Sequence, residues 1–253
     1  EKVENPDLMH YKYKKLRALQ GKGNGSGVRG RMGIPFGLNM YENLPFWFEL
    51  FTRLNFEVVL SPESSRKLYV KGQRTIPSDT VCYPAKLLHG HVEALAEAGV
   101  DAIWYPCMSY NNDEGIGDNH YNCPVVAYYP ELIAANVPSL KQTRFLDPYV
   151  GLWRHKDFGK RIAQLMHQEF GIPKKESAAA ARAAYEAENR RLDLAHALLH
   201  GEIFKNALLH LFESPMILIE DTASPFDVAV DAALLLPGQF EKRLDVAAHD
   251  ARF

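Results

Sequence analysis

From residue 31 onward, short apolar runs alternate with amphipathic stretches, and this order limits the chain to few architectures. Residues 31–35 (RMGIP) read as a strand, residues 36–43 as a loop, and Pro45 opens a helix carrying Phe46, Trp47, Leu50, Phe51 and Leu54. Proline suits a first helical turn because its missing N–H would be unpaired there anyway. Residues 56–60 (FEVVL) are β-branched and read as a buried strand. Ser61-Pro62-Glu63 then caps a short helix to about Lys71. Residues 83–98 form an amphipathic helix stopped by Gly99, followed by strands at 100–105 (VDAIWY) and 124–128 (PVVAY). The β-α-β-α-β order predicts an α/β fold: an open, mainly parallel Rossmann-like (flavodoxin-like) sheet with flanking helices. Ligands in such sheets sit beyond the C-terminal ends of the strands.

The rest of the chain divides around this core. Residues 1–30 read as a basic, Gly-rich linker, with Lys12, Lys14, Lys15 and Arg17 ahead of a glycine string at 21–27. That string resembles a phosphate loop, but no hydrophobic strand precedes it, so the linker reading is preferred. Residues 31–150 form the α/β domain. Residues 151–253 form a helical extension with helices over 155–170, 174–189 and 190–212, and a returning strand near 215–220. His196 and His200 have the spacing of a helical metal pair but lack the adjacent Glu of a zinc protease, which favours an ordinary surface pair. Trp47, Phe48 and Phe51 read as a core stripe.

Composition excludes several classes. With 29 Lys+Arg against 31 Asp+Glu, the charge balance argues against a dedicated nucleic-acid binder. No apolar run approaches the roughly 20 residues of a membrane span, and the first 20 residues lack a signal-peptide core. A cytoplasmic location is therefore expected, where free thiols more often serve metals or chemistry than bridges. The first residue is Glu, as expected of a piece of a longer protein.

The three cysteines, Cys82, Cys107 and Cys123, cannot all pair as disulfides and include no tight CxxC. Cys82 precedes a helix N-terminus, an environment that favours a thiolate. Cys107 follows a strand directly, at the edge where α/β sites form. Two ordinary buried cysteines remain the alternative. If residues 124–128 are a parallel strand, Cys123 lies at the opposite edge, roughly 15 Å away by strand rise. It joins the other two only if that strand is antiparallel or the loop over 108–122 folds back. Around them, Lys86 and His89 share a helix face while His91 points elsewhere. Lys86 could bind a phosphate. Asn39, Tyr41 and Glu42 could line a pocket at the same edge; each of these residues also has a purely structural reading.

Several segments together carry a family resemblance: residues 29–35 (RGRMGIP), 38–47 (LNMYENLPFW), 56–61 (FEVVLS), 81–91 (VCYPAKLLHGH), 105–107 (YPC) and 122–126 (NCPVV). They resemble the uncharacterised domain of activator-like proteins related to 2-hydroxyacyl-CoA dehydratases, the relatives of 2-hydroxyglutaryl-CoA dehydratase and benzoyl-CoA reductase. The resemblance covers about residues 11–185. It implies an anaerobic iron–sulfur protein serving electron transfer, with Cys82, Cys107 and Cys123 as ligands to a 4Fe–4S cluster completed by a non-protein ligand. Lys86, His89 and Asn39 would then surround the cluster or its pocket. An ATP-dependent activase domain or dehydratase subunits are the implied partners, with an acyl-CoA as substrate and a second copy of the chain as a further partner. The sequence has no Walker-type loop, so ATPase activity is expected from another polypeptide or segment. The alternatives are a non-catalytic ligand-binding or interaction module, and a zinc-binding domain using the same thiols.

Overall fold

A computed structural model describes residues 8–21, 25–111 and 118–199 of the chain. It divides into two units, one formed by Leu19–Tyr185 and one by the segments on either side. In the outer unit, Leu8–Ala18 forms helix α1, where the sequence suggested only a basic linker. Lys12 of its basic group is buried, and the Arg17 guanidinium lies 5.9 Å from the Tyr13 ring centroid.

The main unit is a four-stranded parallel sheet with helices on both faces, as the alternation predicts. Its strands are β1 (Arg31–Ile34), β2 (Glu57–Leu60), β3 (Ala102–Trp104) and β4 (Arg144–Leu146), in the spatial order β2-β1-β3-β4. This is the start of the flavodoxin-like order, whose switch point falls between β1 and β3. Helices α2 (Asn39–Glu42) and α3 (Leu44–Arg53) connect β1 to β2, so residues 39–42 are helical rather than loop. Helices α4 (Arg66–Gly72) and α5 (Tyr83–Glu97) connect β2 to β3. Helix α6 (Pro124–Asn136) leads to β4, and α7 (His155–Phe170) and α8 (Lys174–Leu199) follow. The helices expected over 174–189 and 190–212 are one continuous α8 as far as the description extends. The strand expected at 215–220, and His200, lie outside the described residues.

One sheet face carries an aromatic core. Trp104 packs on Trp47 and Phe51 of α3, with ring centroids 5.3 Å apart in each pair, and Phe46 meets Phe158 of α7 at 5.4 Å. Trp47, Phe48 and Phe51 are all buried, as their helical spacing predicts. The opposite face belongs to α5. A Cβ added at Gly33 would meet Leu95, and one at Gly37 would meet Leu88. Moving up β1 thus moves backward along α5, so the helix runs antiparallel to the strands. Its N-terminus, with Cys82, lies beyond their C-terminal ends.

Two expectations need correction. Ser61 does not cap α4; Ser65 does, accepting the Leu68 N–H at 3.2 Å. Ser61 is fully buried, accepting the Phe36 N–H at 2.8 Å and standing 2.7 Å from His91 Nδ1. The larger correction is at residues 124–128, which form the first turns of α6 rather than a strand. Pro124 at its first position starts the helix as Pro45 starts α3, and tertiary packing of Ala127, Pro130 and Ile133 outweighs the β preference of Val125 and Val126.

Candidate functional site

That correction changes the position of Cys123. The residue is the N-cap of α6, as Cys82 is of α5, and the two have the same extended backbone (φ −62°, ψ 155° against φ −61°, ψ 150°). Neither thiol makes a capping hydrogen bond, and both are exposed. The loop between Cys107 and Cys123 folds back. Tyr110 and Tyr121 form an antiparallel bridge, the Asn111 N–H donates to His120 O at 2.9 Å, and the Asn122 N–H donates to Ser109 O at 3.0 Å. The Asn122 amide also donates to Met108 O at 2.8 Å. Cys123 therefore begins one residue beyond a direct link to the segment just after Cys107, at the C-terminal edge and not the opposite one.

Cys107 is held by an extension of the β3–β4 ladder. Its N–H donates to Pro148 O at 3.0 Å and its carbonyl accepts from Val150 at 3.1 Å. Gly33 pairs with Ile103, so Ile103, Tyr105 and Cys107 project from the α5 face, alternating with Trp104 on the aromatic face. Unlike the other two cysteines, Cys107 is only 1% exposed. Burial pushes its thiol up to about 11, more than the Glu131 backbone amide lowers it, with the charges of Glu131 and Asp147 adding to the rise.

His89 links α5 to α6. Thr75 spends its hydroxyl proton on Gly72 O (2.9 Å), so at 2.8 Å it must accept from His89 Nδ1–H. That leaves His89 Nε2 as the acceptor for the Tyr129 hydroxyl at 3.0 Å. Cys82 lies seven residues before His89 and Cys123 six before Tyr129, about 10.5 Å and 9 Å of helical rise. Each capping cysteine thus lies a similar rise before the residue through which its helix is joined to the other. Tyr105 stands among them. It is fully buried and its hydroxyl has no hydrogen-bond partner. Burial first, then the electrostatic influence of Tyr129, Cys107, Cys123 and Cys82, raise its phenol above the ordinary value. Tyr129 is pushed up to about 12, by burial and then by Cys82.

The remaining candidates take these places. Lys86 Nζ donates to Asp79 O at 2.7 Å and so closes the loop that leads into Cys82. His89 faces Thr75 and Tyr129 with its two ring nitrogens, not a thiol. His91 is bracketed by Ser61 and Ser64. Asn39 is buried at the start of α2, its amide donating to Met108 Sδ at 3.4 Å while Oδ1 has no partner. Tyr41 packs on Phe36, with centroids 5.3 Å apart, and Glu42 closes α2. Among the described residues no set of three or more His, Cys, Asp or Glu could hold a metal ion. A surface hollow of about 410 Å³ at the C-terminal end of α6, lined by Val137, Leu140 and Phe145, contains no cysteine. Sequence reasoning missed Tyr105 and Tyr129. The first could have been found by counting two back from Cys107 along the strand; nothing marks the second.

His89 supplies a pH test. Burial lowers its pKa from 6.5 to about 4. The unfolded chain therefore takes up a proton below about pH 6.5 that the folded chain refuses until about pH 4. This contribution to stability is whole above pH 6.5 and declines by about 1.4 kcal/mol per pH unit as acid is added through that window. Urea titrations from pH 7 to 4 should show this slope in the wild type. It should be absent from His89→Phe; equal slopes would refute the assignment.

Fold and site together define an open α/β domain that brings three thiols to the carboxyl edge of a parallel sheet. The chain belongs to the family described as the CoA enzyme activase uncharacterised domain, which it matches over residues 31–206. No curated protein and no solved structure matches it. Among the described residues no helix is long and apolar enough to cross a membrane.

Proposed function

We propose that Cys82, Cys107 and Cys123 hold a 4Fe–4S cluster through which the domain passes electrons in a 2-hydroxyacyl-CoA dehydratase-like system. What supports this reading is that three cysteines from three separate turns all follow the C-terminal edge of the sheet, two of them as N-caps of helices joined by the His89–Tyr129 hydrogen bond. A cubane takes thiolates at separate corners, so cysteines supplied by three separate turns are a fitting donor set. The unpartnered Tyr105 hydroxyl and Asn39 Oδ1 supply polar atoms for its surroundings. When bound, such a cluster supplies one-electron transfer at a potential set by burial and by hydrogen bonds to its sulfurs. The chain's own part is to hold the cluster with thiolates. The Cys107 thiol must lose its proton to do so, so assembly is favoured as pH rises. An ATP-dependent activase domain or dehydratase subunits would exchange electrons with it, and an acyl-CoA would be the eventual substrate.

Anaerobic purification and reconstitution, followed by iron and sulfide analysis with visible and EPR spectra, test this. A colourless protein without iron would overturn it. That result would favour a second reading, an interaction module, which the exposed Tyr83, Tyr121, Tyr128, Tyr149 and Trp153 support. Four of these lie within five residues of Cys82 or Cys123 or bridge to Cys107.

A further inference from the structure

We propose that Tyr105 is the hydrogen-bond donor to the group held by the three cysteines, its O–H directed at a cluster sulfide. The inference rests on the cluster reading above and goes beyond it by naming a tuning residue. Tyr105 shares its strand face with Cys107 two residues on, the face shared with α5. It is wholly buried, yet its hydroxyl has no partner. A buried hydroxyl without a hydrogen bond is costly, and native proteins seldom leave one so.

No neighbouring polar group accepts from it. The Tyr129 proton is itself already committed. Gly72 O takes the Thr75 proton, Thr75 takes the His89 Nδ1 proton, and His89 Nε2 takes the Tyr129 proton. This chain runs from α4 across α5 to α6 and commits the Tyr129 proton to His89; the Tyr129 oxygen has lone pairs left, yet Tyr105 makes no hydrogen bond to it or to any other group. Tyr105 is thus a buried donor without an acceptor, on the strand face of Cys107. An anionic acceptor that arrives with the cluster would complete it. Both ring nitrogens of His89 have partners, and Lys86 donates to Asp79 O.

Because a donor stabilises the more negative, reduced cluster, its removal should lower the midpoint potential. The test compares the reconstituted full chain with its Tyr105→Phe variant by iron and sulfide content, EPR-monitored redox titration, and electron–nuclear double resonance of the reduced state. The expected result is equal iron, a more negative potential, and loss of an exchangeable proton coupling present in the wild type. Equal iron with unchanged potential and coupling overturns the role of Tyr105 and leaves the cluster reading intact. A wild type that binds no iron overturns both. If the variant does not fold, wild-type protein grown on tyrosine deuterated beside the hydroxyl takes its place. Absence of ring-deuteron coupling to the reduced cluster would overturn the assignment, and a coupling that persists when Tyr83, Tyr121, Tyr128 and Tyr129 are each replaced by Phe in the labelled protein would support it.

Discussion

Replacing Gly90 by alanine is expected to destabilise the protein by more than about 3 kcal/mol, at the upper end of overpacking costs. A Cβ there would lie 2.0 Å from the carbonyl oxygen of Leu68 and 2.7 Å from its carbonyl carbon, both in the backbone of α4. No rotamer change can relieve such a contact; the helices themselves must separate. Gly72 is the reciprocal position, its added Cβ falling 2.2 Å from Gly90 N and 2.6 Å from the His89 carbonyl carbon. Each single substitution should therefore be severe, while the double substitution should cost clearly less than their sum, because the first separation already makes room for the second. Urea denaturation of both single variants and the double variant measures this. Additive losses would show that the two glycines do not share one contact.

The second large effect concerns iron. On the cluster reading, Cys82→Ser and Cys123→Ser should each reduce bound iron from about four per chain toward none. Both side chains are exposed N-caps that make no capping bond, and serine is a favoured cap, so the iron-free variants should be as stable as wild type or more stable by up to about 1 kcal/mol. Cys107→Ser should lose iron as well, but with a measurable stability loss, since it puts a hydroxyl into a nearly sealed position. Retention of full iron by any one of the three variants would remove that cysteine from the ligand set. Iron assays and denaturation curves on the same samples separate the two effects.

The sheet was legible because the strands β1, β2 and β3 are short apolar runs between turn residues, and because Gly99 stops α5 in the left-handed conformation that glycine favours (φ +66°). The strand β4, three residues long with a single buried position, gave too little pattern to read. Residues 124–128 misled for a specific reason. Val125 and Val126 carry β preference, and Pro130 falls inside the helix, where proline normally argues against one. The signal that would have corrected this was already in use elsewhere: Pro45 and Pro84 mark helix starts, and Pro124 does the same directly after Cys123. Cys82 and Cys107 were placed at the correct edge by topology alone. The fold-back that brings Cys123 to them depends on hydrogen bonds among Met108, Ser109, Asn111, His120 and Asn122, which composition permits without specifying. The tyrosines escaped notice because a hydroxyl is singled out by what fails to meet it, and that is a property of three-dimensional surroundings.

The distribution of indole rings gives the molecule two optical windows. The chain has three tryptophans. Trp47 and Trp104 lie with no exposure in the aromatic core, whereas Trp153 is 41% exposed and stands 4.9 Å from the ring of Tyr110, in the fold-back between Cys107 and Cys123. A water-soluble quencher reaches the last and not the first two. Emission from one population therefore follows the integrity of the sheet, and emission from the other follows events at the thiol edge, without any label being added.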